Sequence, residues 1–246
     1  MHRFANPTQF MRIANALFPW VAGLCVLLFA AALPIALKFS PPDYQQGETV
    51  RIMYIHVASA WSMMMIYGII AVNSAMFLIW RHPMASLAAK ASAPVGAIFA
   101  GLTLITGMLW GKPMWGTFWV WDGRLTSTLV LFFLYLGYIA LNDAFEDQER
   151  GDKAAAILAL VGSVNIPIIK WSVEWWATLH QPSIVSMSGI SVGSGMRLPL
   201  FLMAGAFTAF YLTILVLRLR SELLAAKIRN ARMSQVAHSA APQPAE

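Results

Sequence analysis

The sequence predicts an all-α protein that crosses a membrane six times, with both termini on the cytoplasmic side. Three observations carry this. Only 11% of the residues are charged and the mean hydropathy is +0.63, whereas a soluble domain carries about 25% charged residues. That much apolar surface over 246 residues exceeds what one core can hide, so lipid is its natural solvent. The apolar residues also fall into six runs of membrane-crossing length, about 20 residues each. Lysine and arginine, finally, are divided unequally between the connections. Arg3, Arg12, Arg81, Lys90, Arg150, Lys153, Arg218, Arg220, Lys227, Arg229 and Arg232 lie on one side, against Lys38, Arg51, Lys112, Arg124, Lys170 and Arg197 on the other. The richer side is expected to face the cytoplasm.

The first run is Leu17–Leu37. It is as long as a full span and has no convincing small-residue cleavage motif, so it reads as an anchor rather than a cleavable signal. An outer loop, 38–56, leads to the second run, Val57–Trp80. The short basic turn "RHPMASLAAK" then precedes the third, Ala91–Trp110. A second outer loop, 111–124, enters the fourth run, Leu125–Leu141. The mixed-charge segment "NDAFEDQERGDK" is a solvated inner turn before the fifth and shortest run, Ala154–Ile169. The third outer loop, 170–197, contains "MSGISVGSG", which reads as a flexible connection. Leu198–Leu217 is the last run. Residues 1–220 thus form one six-helix domain, and 221–246 a cytoplasmic tail that begins as a basic helix and ends in "SAAPQPAE", a composition of disorder. Pro34, Pro94, Pro167 and Pro199 lie within or at the ends of runs, where spanning helices tolerate them.

Several function classes are excluded. The net charge of +6 reads as topology, because no basic run interleaves with aromatics to suit nucleic acid. The single cysteine, Cys25, cannot form an internal disulfide, and no Cys-x-x-Cys-His attaches haem covalently. There is no zinc spacing, no Ser/His/Asp set and no phosphate-binding glycine loop. Charges within the runs are too few for the ion pathway of a pump.

The outer side carries the unusual residues. Seven of the ten tryptophans, Trp110, Trp115, Trp119, Trp121, Trp171, Trp175 and Trp176, sit in or beside two outer loops. A membrane-interface belt would populate both faces, yet only Trp80 is clearly placed on the inner one. The alternative is a platform for a large flat ligand. If 115–122 is helical, Trp115, Phe118, Trp119 and Asp122 share a face. If it is extended, Trp119 and Trp121 do. Gly116 and Gly123 would let a ligand or another backbone come close. Belt and platform both remain open on these grounds.

His56 and His180 lie on the same outer side, one where the first loop enters a helix and one within the third loop. A histidine on each side of a haem plane makes a six-coordinate b-type centre. Haem carboxylates need cations, and Arg51 and Arg124 are placed to supply them. Arg124 could equally pair with Asp122 or extend to the interface from a helix start.

"WGKPMWGTFWVWDGRLTS" followed by "LVLFFLYLGY" resembles the tryptophan-rich signature of the haem-handling (WWD-motif) family. "DYQQGETVRIMYIHVASAW" and "NIPIIKWSVEWWATLHQ" resemble the flanking segments of one branch, the haem exporter protein C (CcmC) family of bacterial cytochrome c maturation. The resemblance covers roughly residues 10–220. It implies a multi-pass protein of the bacterial inner membrane with its signature loop facing the periplasm. It implies non-covalent haem b, with His56 and His180 as axial ligands to the iron. Trp115, Gly116, Phe118, Trp119, Trp121 and Asp122 would form the platform. The implied partners are a periplasmic haem chaperone, the ATPase and membrane subunits of an ABC transporter, and a small single-span membrane polypeptide. The chain itself would deliver haem rather than act as an enzyme, and ATP hydrolysis would fall to the partners. Phe118 stands where the family has tryptophan, which keeps a stacking face. Gly123 replaces a common alanine and is expected to loosen the loop slightly. Two rival readings remain, a haem channel across the membrane and an electron-transferring b-type cytochrome. The spans offer the first only scattered polar residues, such as Asn73 and Thr103, and the second would hold its histidines deeper in the bundle.

Overall fold

Seven α-helices make up most of the computed structural model, which describes residues 7–176, 178–181, 184–186 and 189–239. They are α1 (Pro7–Pro34), α2 (Ile52–Trp80), α3 (Pro83–Trp115), α4 (Gly123–Asp143), α5 (Gln148–Gly162), α6 (Asn165–Trp175) and α7 (Ser194–Ser239). Six helical stretches are long and apolar enough to cross a membrane, with α5 and α6 together making the fifth.

Local chemistry sets the boundaries. Pro83 opens α3 at a position where its missing N–H costs nothing. Gly116, at a φ of 75°, closes α3 in a left-handed cap and donates its N–H to the Lys112 carbonyl at 3.0 Å. Asp122 caps α4, its Oδ1 accepting from the Leu125 N–H at 2.7 Å, and Asp147 caps α5. Helices α5 and α6 are separated by a turn at Ser163 and Val164. Pro167 explains the break: it has no N–H to give the Ser163 carbonyl four residues back, and its ring crowds that carbonyl. The Ser163 carbonyl is taken instead by the Ile166 N–H at 3.1 Å.

Helices α2, α3, α4 and α5 pack around one another, α7 lies against α2 and α3, and α1 lies against α7. The centre is unusually rich in tyrosine, with Tyr54, Tyr67, Tyr135 and Tyr211 fully buried. Two glycines admit two of them, Tyr135 and Tyr67. A Cβ on Gly96 would stand 2.2 Å from the Tyr135 ring, and one on Gly162 2.2 Å from the Tyr67 hydroxyl. Tyr135 donates to the Met63 carbonyl at 2.6 Å, and Tyr211 pairs with Ser92 at 2.9 Å.

Three features of the structure bear on these expectations. The third outer loop holds an antiparallel strand pair, β1 (Val185–Ser186) and β2 (Gly189–Ile190), and only β2 falls within the stretch read as a flexible connection. The last helix runs unbroken well past Leu217, to Ser239, and "AAPQPAE" lies outside the described residues. The tryptophan-rich loop is neither one helix nor one strand, since α3 claims Trp115 and the chain then turns at 116–118 before passing irregularly to Asp122.

Candidate functional site

His56 stands on the second turn of α2, with its ring against α3. Gly107 makes this possible, because a Cβ there would lie 3.0 Å from His56 Cε1. His56 Nδ1 is 3.1 Å from Thr106 Oγ1, and that hydroxyl is 2.7 Å from the Leu102 carbonyl. A carbonyl can only accept, so the Thr106 proton goes to Leu102 and its oxygen accepts from His56. The imidazole proton is thereby placed on Nδ1, leaving the Nε2 lone pair free. Trp110 meets the same ring edge-on at 5.6 Å and anchors the first loop by donating to Gln46 Oε1 at 2.8 Å.

His180 is built differently but reaches the same state. Its Nδ1 lies 2.6 Å from Asp122 Oδ2, and Thr178 Oγ1 donates to that oxygen at 2.5 Å. Burial alone would push the Asp122 carboxyl up, but hydrogen bonds from Thr178, the Leu125 N–H and His180 outweigh it and hold the group below the ordinary carboxylate range. Burial lowers the His180 imidazole; the Asp122 charge opposes this and Arg124 reinforces it. The result is a neutral ring that donates from Nδ1 to a carboxylate and offers Nε2. This is the orienting arrangement that metal-ligating histidines use. Trp115 packs against the His180 ring at 4.6 Å.

Both histidines line one cavity of about 290 Å³, at the small end of ligand sites. Arg124 and Trp115 share its wall. The Arg124 guanidinium is steadied by the carbonyls of Gln181 at 3.2 Å and Lys170 at 3.5 Å. Two available imidazole nitrogens, a cation and aromatic edges around one apolar space suit a flat metal complex with an anionic rim, which is the chemistry of haem.

Of the residues singled out in the sequence, His56, His180, Trp115 and Arg124 meet at this cavity. The others are elsewhere. Arg51 pairs with Glu48 at 2.7 Å and donates to the Leu37 carbonyl, and it does not line the cavity. Trp119 and Trp121 stack edge-on at 5.3 Å and are not among the residues lining the cavity, with Trp121 74% exposed. The Trp119 indole N–H is buried and has no acceptor among the described residues. Phe118 is exposed beneath the Lys112 ammonium. The expected single platform over 115–122 is thus divided by the turn at Gly116. Gly123 packs tightly rather than loosening the loop, since a Cβ there would come within 2.9 Å of the Trp176 ring. Asp122 neither stacks nor pairs with Arg124; it holds His180 and caps α4. Thr106, Thr178 and Gln46 enter the site unforeseen, whereas Trp110 stood out in the sequence only as one of the outer-side tryptophans.

A family model described as "Heme exporter protein C" matches residues 1–234. A protein of that name from Bradyrhizobium diazoefficiens is 48% identical over 237 residues, covering 96% of this chain and 90% of its own length. One from Escherichia coli K12 is 44% identical over 236 residues, covering 96% of each. A mitochondrial protein of Marchantia polymorpha, whose name calls it ccmC-like and associates it with cytochrome c biosynthesis, is 49% identical over 191 residues, covering 78% of this chain and 80% of its own.

Proposed function

The chain belongs to the haem exporter protein C family, and from that premise we propose that it binds haem b without a covalent bond at the periplasmic end of its bundle and delivers it to a periplasmic haem chaperone during cytochrome c maturation. The observation that carries this is the pair of histidines facing one cavity, each with Nδ1 held by a side-chain oxygen. Haem is cargo here. The uneven distribution of lysine and arginine supports a periplasmic site and cytoplasmic termini in a bacterial inner membrane.

Each part of the site has one task in this reading. His56 and His180 take the iron. Thr106 and Asp122 fix their tautomers before haem arrives, so binding costs no proton rearrangement. Arg124 supplies the cation for a propionate. Trp115 backs the His180 ring. A cavity of about 290 Å³ holds part of a macrocycle and leaves an edge outside for a second protein to take. Orientation and electrostatics are the protein's contribution, and the reactive vinyl groups belong to the cargo. An ABC transporter's ATPase and membrane subunits, with a small single-span polypeptide, complete the complex. ATP hydrolysis belongs to those subunits.

The test is a visible absorption spectrum of the purified complex, comparing wild type with His56→Ala, His180→Ala and the double variant. A six-coordinate haem signal disturbed in each single variant and lost in the double is the expected result. An unperturbed spectrum in all variants would place the ligands elsewhere.

A further inference from the structure

The cavity does not end at the two histidines. It descends along one face of α2 through Val57, Ala60, Trp61 and Met64, positions i, i+3, i+4 and i+7 of a single helical stripe. From His56 to Met64 that wall drops about 12 Å toward the bilayer centre. None of these four residues is fully buried, although they lie within a span and point inward at the site.

Their exposure has a structural cause. Helix α5 packs against both α4 and α2, and a straight continuation would keep the wall closed. After the Pro167 break, α6 follows α4 and makes only sparse contact with α2. Asn165 fixes that course, its Nδ2 donating to the Ser127 carbonyl of α4 at 2.8 Å. On its other flank α2 is covered, with Trp61 against Phe201 of α7 at 6.1 Å. Among the described residues, the seam between α2 and α6 is therefore a side on which two helices that both line the cavity are not closely packed against each other. It is apolar at depth, with Ile169 of α6 opposite the α2 stripe, and polar at its head, with His56, His180 and Arg124.

We propose that the cargo enters sideways from the bilayer through this seam between α2 and α6, apolar edge deep and carboxylates at the Arg124 end. The proposal rests on haem being the cargo. A planar molecule with one apolar and one anionic edge partitions into the bilayer boundary in that orientation. It would slide between the helices without first crossing water.

Site-directed spin labelling in proteoliposomes tests this, and reads the seam with or without cargo. In a Cys25→Ala background, labels are placed at Val57→Cys, Ala60→Cys and Met64→Cys. Val72→Cys, 61% exposed on the same helix, reports lipid, and Tyr44→Cys, 91% exposed in the first loop, reports water. Labels at 57, 60 and 64 should resemble Val72→Cys, with frequent collisions with oxygen and few with a water-soluble nickel chelate. Adding haem should remove most of the oxygen collisions at 57, 60 and 64 and none at 72, because a bound ligand buries roughly 70–90% of its surface in its pocket. Labels that collide with the nickel chelate as Tyr44→Cys does would show a cavity open to water alone and overturn the seam. Labels shielded from both reagents would show a closed wall, with the same consequence. If the labels report lipid but no haem absorbance ever develops in the unlabelled protein, the seam stands and the assignment of its cargo falls.

Discussion

Asp122→Asn is the most informative single change. The side chain keeps its shape, and asparagine caps a helix as well as aspartate. The Leu125 N–H needs an oxygen at the Oδ1 position, 2.7 Å away, so the new amide nitrogen must take the Oδ2 position. There it faces Thr178, whose hydroxyl can turn and accept, and His180 Nδ1, which can accept only by moving its proton to Nε2. That tautomer has no lone pair for iron. The side chains of the pair are only 15% and 4% exposed, His180 and Asp122 respectively, so water does little to screen the loss. A hydrogen bond to a charged group contributes about 1.5–3 kcal/mol, which converts to haem affinity about 10- to 100-fold weaker, the range seen when the group orienting a metal ligand is removed. The assay is equilibrium haem titration by absorbance, with thermal unfolding of the haem-free protein alongside. Weakened binding with an unchanged unfolding temperature is expected. An Asn variant with wild-type affinity and spectrum would refute the orienting role.

The remaining predictions concern the other walls and the packing beneath. Thr106→Val removes a neutral acceptor from His56 at 3.1 Å and should weaken haem binding by at most about tenfold, less than Asp122→Asn in the same titration. Arg124→Gln should lower haem retention during gel filtration, whereas Arg51→Gln should not, because Arg51 is committed to Glu48 and the first loop. Trp115→Ala should shift the absorbance of bound haem through the loss of support at His180, while Trp121→Ala, 74% exposed and outside the cavity, should leave it in place. Gly96→Ala would drive a methyl to 2.2 Å from the Tyr135 ring and should cost about 1–3 kcal/mol, seen as a lower unfolding temperature in detergent. Gly101→Ala, with its nearest neighbour at 3.7 Å, is the control.

The two histidines were conspicuous in the sequence because imidazoles are scarce in this chain and each sits in a recognisable segment, and the structure brings both to one cavity. Their supports were not. Asp122 and His180 are 58 residues apart, and nothing local to either marks the pairing; Asp122 read as part of an aromatic surface because tryptophans surround it. Thr106 looked like one more helix-packing hydroxyl, and only the placement of α2 against α3 gives it a histidine. Spacing rules assume one regular conformation, while Gly116 ends α3 in the middle of the motif and leaves Trp115 at the cavity. The fifth span looked merely short. Pro167 was visible in it, but that the proline divides the helix and turns its second half away from α2 depends on what α4 offers Asn165. The strand pair in the third loop has two residues on each side, too few for an alternating pattern to announce it.

The packing of α1 bears on how the chain is put into the membrane. Of its residues only Ala14, Cys25 and Ala32 are buried, and its neighbour is α7, through Phe29 against Phe207 and Phe210 and the Phe18 ring beneath Arg220. The ribosome makes α1 before the other six helices and α7 after them. Until α7 emerges, α1 therefore lacks the helix it packs on and is held in the bilayer by its own hydrophobicity. The helices between them can assemble around their tyrosines in the order they emerge. Docking of α1 waits for α7 to emerge, and a product stalled before α7 is distinguished by an α1 without the helix it packs on.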